Sequence, residues 1–148
     1  MTITEKECTG CSSCVNKCPL QCISLVKNKE GFFYPQIDTQ KCTKCNLCIS
    51  ACPLNKNQKF ENDSSKAYLA YSFEKADRIL ATSGGLFGKL ACNVIDNGGI
   101  VYGAAFGNDH TVQFIGAQNH EQLKRLFKSK YVQADVGNIY NDVKKMLK

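Results

Sequence analysis

Residues 8–19 read CTGCSSCVNKCP, and residues 42–53 read CTKCNLCISACP. The cysteines of both runs have the spacing C-x2-C-x2-C-x3-C, and a proline follows the last cysteine each time. One constant offset relates the first four cysteines, Cys8, Cys11, Cys14 and Cys18, to the second four, Cys42, Cys45, Cys48 and Cys52. An internal repeat of this kind predicts two pseudo-symmetric halves that fold together.

The composition of the chain indicates a globular protein. Its 148 residues are 43% hydrophobic, enough for one ordinary domain or two small ones. The opening MTITEKECTG lacks the basic start and apolar core of a secretory signal, and no run of about 18 apolar residues could span a bilayer. We therefore expect a soluble cytoplasmic protein whose ten cysteines stay reduced, which makes metal ligation their leading interpretation.

The cysteine spacing favours iron–sulfur clusters over zinc. Three cysteines spaced three residues apart can bind one side of a cluster from a single tight loop. The fourth ligand must then come from another part of the chain. Structural zinc sites use one or two C-x2-C pairs in tetrahedral geometry, which fits two repeats of four poorly. A three-iron cluster formed by oxidation, and clusters with a purely structural role, remain open alternatives.

Both runs resemble the C-x2-C-x2-C-x3-C-P motif of two-cluster bacterial ferredoxins, in which the fourth cysteine ligates the other cluster. By this resemblance, one 4Fe-4S cluster is held by Cys8, Cys11, Cys14 and Cys52, and the second by Cys42, Cys45, Cys48 and Cys18. The crossing ties the two halves together, so we expect metal loading and folding to be coupled. Small or polar residues between the thiols leave backbone N–H groups available to donate to the sulfurs.

Two cysteines lie outside the repeat. Cys22 follows Cys18 by four residues, and we interpret it as a small buried residue beneath the cluster, with a spare ligand as the alternative. Cys92 lies on the apolar face of a predicted helix, which favours a place in the core.

The chain outside the cysteine runs predicts short strands and helices. Residues 22–28 and 31–38 predict a β-hairpin, and the polar, turn-rich residues 57–65 predict a linker. Further strands are predicted for residues 67–73, 100–106 and 111–117, and helices for residues 86–99, 119–127 and 138–148. Ser83 and Asn119 are the expected N-caps of the first two helices. We predict an α+β protein with a ferredoxin-like dicluster domain over 1–56 and a truncated α/β domain over 66–148.

The stretch ATSGGLFGKL, residues 81–90, is the second informative motif. The start of a helix with adjacent glycines can bind an anion through unpaired backbone N–H groups. A simple capped helix start is the alternative interpretation of Ser83, Gly84 and Gly85.

The second half, with SGGLFGKLACNVIDNGGIVYGAAF and LKRLFKSKYVQADVGNIYNDVKKML, resembles the N-terminal part of the coenzyme F-420 hydrogenase and dehydrogenase beta-subunit family. The resemblance implies electron transfer between iron–sulfur clusters and a flavin, FAD, with hydride exchange to a deazaflavin. It implies that Ser83, Gly84 and Gly85 approach the flavin or its phosphates, with Lys130 and Tyr131 as weaker candidates. Family members continue beyond the helix that ends here at Lys148, so we expect the chain to carry the front part of such an enzyme.

These observations predict an iron–sulfur electron-transfer protein that works with a redox partner such as a ferredoxin, a flavoprotein or a hydrogenase-type subunit. A flavin-dependent F-420 dehydrogenase or reductase subunit is the alternative, and no catalytic side chain is assigned. The formal charge of +6 falls to about +2 once two clusters with eight thiolates are included, which argues against nucleic-acid binding. A basic group could instead dock an acidic partner or form a solvated helix face; it contains Lys124, Arg125, Lys128 and Lys130.

Overall fold

The computed structural model describes residues 7–55 and 66–147, and the chain divides into two units. The first unit contains Met1–Glu61 and Val136–Lys148, and the second contains Asn62–Asp135. Short helices and two antiparallel two-stranded sheets make up the described residues, which confirms the mixed α and β content that the sequence predicts. The predicted linker, residues 57–65, lies outside the described residues.

Each unit contains one of the two sheets. The elements of the first unit are α1 (Ser13–Lys17), β1 (Ile23–Lys27), β2 (Phe33–Ile37), α2 (Leu47–Ala51), a 3-10 turn (Pro53–Asn55) and α6 (Ile139–Met146). The elements of the second unit are α3 (Lys75–Leu80), α4 (Leu86–Asp96), β3 (Val101–Phe106), β4 (Val112–Ala117) and α5 (His120–Lys124).

The predicted hairpin between the cysteine runs is confirmed. Strands β1 and β2 pair antiparallel with Ile23 opposite Ile37, and the Asn28 side chain closes the turn by accepting from the N–H of Phe32 at 2.9 Å. Just outside the strands, the N–H of Asp38 donates to the carbonyl of Cys22 at 2.8 Å. The hairpin therefore brings the end of the first cysteine run close to the start of the second.

The C-terminal helix α6 packs in the first unit, whereas the sequence analysis places it with the second module. Asn16 in α1 donates from its Nδ2 to the carbonyl of Gly137 at 2.7 Å, and Asn141 in α6 donates to the Asn16 Oδ1 at 3.3 Å. A single asparagine thus bridges α1 to the start of α6. This long-range contact cannot be predicted from the sequence, in which Asn16 is one of three residues between Cys14 and Cys18.

The core of the second unit lies between α4, the β3–β4 hairpin and α5. It buries mostly small or branched apolar side chains, namely Ala91, Ile95, Ala105, Ala117, Leu123 and Leu126. Cys92 is half-buried against this cluster, in agreement with the predicted core role. Asn119 caps α5 as predicted, since its Oδ1 accepts from the N–H of Gln122 at 2.9 Å. Asp135 extends the sheet by bonding its backbone to β4 at Val112 and Phe114.

Two local predictions in this unit are wrong. Residues 67–73 form no strand, because the chain turns at Ser72, whose hydroxyl donates to Asp77 at 2.6 Å and whose N–H donates to the carbonyl of Gly84 at 2.7 Å. This turn leads into α3, a helix that the sequence analysis does not predict. Ser83 is not the N-cap of α4, since the N-cap lies two residues later, at Gly85, which has φ +77°.

Helix α4 ends at the predicted glycines in a Schellman motif. The N–H of Gly99 donates to the carbonyl of Val94 at 2.8 Å, and the N–H of Gly98 donates to that of Ile95 at 2.9 Å. Gly98 has φ +76°, which L-residues with a Cβ adopt only at a cost.

Replacing Gly98 by alanine is expected to destabilise the protein by about 1 kcal/mol, because the left-handed conformation penalises a Cβ. A Cβ built at this position meets no atom within 4 Å, so steric crowding adds nothing. Urea unfolding followed by far-UV circular dichroism measures the effect. Gly98→Asn is the control and should lose less stability, since asparagine tolerates this conformation; equal stability of all three proteins would contradict the assignment.

Candidate iron–sulfur centres

The two cysteine runs share one backbone conformation, as the repeat predicts. The residue before α1, Ser12, has φ 61°, and its counterpart before α2, Asn46, has φ 62°. Two residues earlier, Gly10 and Lys44 are also left-handed, with φ 66° and 57°. Because the paired residues differ chemically, the common conformation comes from the thiol spacing and not from the residues between the thiols.

Each run ends in the same way. The N–H of Cys18 donates to the carbonyl of Val15 at 3.2 Å, and the N–H of Cys52 donates to that of Ile49 at 3.2 Å. Both cysteines are extended, with φ −74° and −76°, and the proline that follows each has no N–H with which to continue the helix. The fourth cysteine of each run therefore leaves its own helix.

Backbone N–H groups donate to two of the cysteine sulfurs. The N–H of Gly10 lies 3.4 Å from the Cys8 Sγ, and the N–H of Lys44 lies 3.4 Å from the Cys42 Sγ. The left-handed residue of each loop makes this short-range bond possible. Such donors stabilise a thiolate, which is the form of cysteine that ligates a metal.

The second candidate centre is a cavity of about 300 Å³ lined by cysteines from both runs. Its thiols belong to Cys18 of the first run and to Cys42, Cys45 and Cys48 of the second, together with Cys22. Cys18 therefore lies beside the thiols of the second run. The crossed ligand set that the ferredoxin resemblance implies stays a prediction. Cys45 is exposed, so this centre is open to solvent on one side.

The first candidate centre is formed by the loop that precedes α1. Burial, together with the nearby charges of Cys11 and Cys8, raises the pKa of Cys14 to about 11. Burial would also raise the pKa of Cys11, but hydrogen bonds with Ser13 and Thr9 outweigh it and lower that pKa. Cys52 is buried at the end of α2, which contacts α1. Its assignment to this centre rests on the resemblance to two-cluster ferredoxins and stays a prediction.

A buried hydroxyl in the first loop indicates that a sulfur-containing cluster fits there. Ser12 is 3% exposed, and its Oγ is the buried side-chain polar atom without a hydrogen-bond partner among residues 7–55 and 66–147. Ser12 lies between Cys11 and Cys14, where thiolate and sulfide sulfurs of a cluster would provide acceptors. In the same described ranges, no group of three or more His, Cys, Asp or Glu side chains is positioned to hold a single metal ion.

Cys18 and Cys22 form a thiol pair in the second centre. Their Sγ atoms are 3.4 Å apart. Burial would raise the pKa of Cys18, but hydrogen bonds from the backbone and thiol of Cys22 lower it. The same side-chain hydrogen bond, followed by burial and the charges of Cys18 and Cys42, raises the pKa of Cys22 to about 11. Cys18 is therefore the stronger acid of the pair and Cys22 the weaker one.

The candidate cofactor residues of the second unit line one cavity of about 880 Å³, a volume typical of a small-molecule site. Its lining includes the five residues that the sequence analysis selects, Ser83, Gly84, Gly85, Lys130 and Tyr131. Gly84 and Gly85 are, however, also required by close packing against the backbone of the same unit. A Cβ at Gly84 would lie 2.8 Å from the carbonyl oxygen of Ala70, and one at Gly85 would lie 3.1 Å from the backbone of Asp77.

Three charged groups that line this cavity have partners within the unit. The ammonium of Lys130 donates to three backbone carbonyls at 2.7–3.1 Å, and burial lowers its pKa. Asp77 pairs with Lys89 at 3.0 Å, and hydrogen bonds from Ser72 and Lys89 lower the Asp77 pKa. Lys130 therefore has a structural role. The ion pair of Asp77 and Lys89 lies beside the start of α4.

The crossed ligand sets predict different iron contents for two double variants. In C8A/C52A both lost ligands belong to the first centre, so about four of eight irons should remain. In C45A/C52A each centre loses one ligand, so both clusters should be lost. Iron and sulfide analysis after anaerobic reconstitution measures both. The opposite result, with iron retained only in C45A/C52A, would show that each run holds its own cluster.

Comparison with protein-family models gives two matches, both described as 4Fe-4S dicluster domains. One covers residues 7–56 and the other covers residues 34–79. Both include the second cysteine run, and residues 57–79 contain no cysteine, so the second match adds no ligand. A search of curated proteins found no significant match. Of the helices described, none is long and apolar enough to cross a membrane. The N-terminal part of the chain is therefore a ferredoxin-type 4Fe-4S dicluster domain.

Proposed function

We propose that the chain is an iron–sulfur electron-transfer protein whose two 4Fe-4S clusters have crossed ligands. Cys8, Cys11, Cys14 and Cys52 would hold one cluster, and Cys42, Cys45, Cys48 and Cys18 the other. The observation that carries the proposal is the cavity in which Cys18 of the first run joins the thiols of the second run. An all-thiol donor set split between two distant segments suits a cluster better than a single ion.

A bound 4Fe-4S cluster supplies one-electron chemistry, and the chain sets how easily an electron enters. Backbone donors to the sulfurs of Cys8 and Cys42 favour the more negatively charged, reduced state. The first centre lies among buried Gly10, Ser12 and Cys14, whereas Lys44 and Cys45 at the second are exposed. Since solvent access tunes the potential of such centres, the two clusters are proposed to differ in potential.

The partner is proposed to be a redox protein that approaches the more exposed second centre. Lys44 is exposed and lines that cavity, so it offers a positive charge to an acidic partner surface. Two members of the basic group at Lys124–Lys130 already use N–H donors within the unit, so the group has fewer donors free for a partner than its sequence suggests. Lys130 caps backbone carbonyls, and Arg125 donates to the carbonyl of Phe106 at 3.4 Å.

A second candidate function is that of a flavin-linked oxidoreductase, with FAD in the second unit and a deazaflavin as hydride acceptor. The observation that favours it is the cavity of about 880 Å³, which gathers Ser83, Gly84, Gly85, Lys130 and Tyr131. Support for this candidate function comes mainly from the resemblance to the F-420 beta-subunit family and less from the geometry of the cavity. If FAD binds in the second unit, the dicluster domain would pass single electrons to it.

Anaerobic purification followed by iron, sulfide and flavin analysis tests both candidates. We expect about eight irons and eight sulfides per chain, and a paramagnetic resonance signal of reduced clusters after dithionite addition. Stoichiometric flavin in the same sample would select the second candidate. Zinc in place of iron, or clusters that dithionite cannot reduce, would contradict the electron-transfer proposal, and the latter would favour clusters with only a structural role.

A further inference from the structure

The second centre contains one thiol more than a cluster needs. Cys22 lines the same cavity as the four cysteines assigned to the second cluster, and it is 6% exposed. Its Sγ lies 3.4 Å from that of Cys18. Five thiols thus surround a site that has four irons to ligate.

The backbone holds Cys22 firmly beside Cys18. The N–H of Gln21 donates to the carbonyl of Cys18 at 3.2 Å, and Gln21 is left-handed with φ 48°, so the chain turns tightly between the two cysteines. On the other side, Cys22 immediately precedes β1, and its carbonyl accepts from Asp38 at 2.8 Å. Backbone hydrogen bonds of the turn and the hairpin therefore hold Cys22 beside Cys18.

The first centre has no equivalent of this thiol. The offset that relates the two cysteine runs places Lys56 at the position corresponding to Cys22. Cys18 and Cys52 are otherwise matched, since each ends a short helix and precedes a proline. Comparing the loss of Cys18 with the loss of Cys52 therefore isolates the effect of the fifth thiol.

We propose that Cys22 is a reserve ligand of the second cluster, which binds the iron left open when Cys18 is lost. This inference rests on the crossed ligand sets of the proposed function. In the exchange, the Cys22 thiol releases its proton to solvent and its sulfur forms the iron–sulfur bond that Cys18 no longer supplies. No electron is transferred, so no oxidant or reductant is needed. The cavity then retains four thiolate ligands.

Iron content after anaerobic reconstitution tests the proposal in five proteins: the unaltered chain, C18A, C22A, C18A/C22A and C52A. We expect about eight irons in the unaltered chain, C22A and C18A, and about four in C18A/C22A and C52A. The decisive comparison is between C18A and C18A/C22A, which differ by one thiol. Paramagnetic resonance of the reduced samples should show two clusters in C18A and one in C18A/C22A.

The same set of proteins separates the possible failures. If C18A binds four irons or fewer, whether or not it folds, Cys22 does not replace Cys18 and the inference is overturned. If C18A and C18A/C22A both keep eight irons, a ligand other than Cys22 fills the position, which overturns it equally. Seven irons in C18A with a three-iron signal before reduction would also overturn it. A failure of the proposed function is distinct, because the unaltered chain itself would then bind zinc in place of iron or hold clusters that dithionite cannot reduce.

Discussion

Convergence of thiols from two distant segments on one small site is the constraint on which the first unit depends. To bring Cys18 to the cavity of Cys42, Cys45 and Cys48, the chain must leave α1 at the cysteine and return through the β1–β2 hairpin. Left-handed backbone at Ser12, Lys44 and Asn46 is part of this arrangement. Such conformations cost on the order of 1–2 kcal/mol each outside glycine and persist where the surroundings require them. Ligation of a metal cluster would supply that requirement, and folding is then expected to be coupled to cluster loading.

The repeat is symmetric in backbone but not in environment. In the first loop the left-handed positions are held by Gly10 and the buried Ser12, whereas their counterparts Lys44 and Asn46 are exposed. A cysteine spacing thus fixes the geometry of a thiol loop, while the residues between the thiols set its solvent access. The two cysteine runs therefore combine one backbone conformation with different exposure. Solvent exposure is one of the properties that tune the potential of an iron–sulfur cluster.

Local structure can be predicted from the sequence where an interaction with near neighbours explains why a residue occupies its position. Gly98 ends α4, Asn119 caps α5 and the alternating runs on either side of Asn28 form a hairpin, because each depends only on near neighbours. Predictions fail where distant contacts decide. The strand pattern of residues 67–73 is overridden by the turn at Ser72, and the placement of α6 depends on Asn16. The grouping of Cys18 with the second run is predictable only through the resemblance to ferredoxins.

The glycines at the start of α4 show why a motif alone is weak evidence for a cofactor. Gly84 and Gly85 are explained by the approach of Ala70 and Asp77, whose backbone atoms occupy the space that a Cβ would need. Their small size is therefore required whether or not a ligand binds. The case for a ligand in the second unit must rest instead on the cavity, whose lining combines the glycine loop with residues near Lys130. The cysteine runs differ in this respect, because the spacing of their eight thiols matches a 4Fe-4S dicluster domain and gives them a role as cluster ligands.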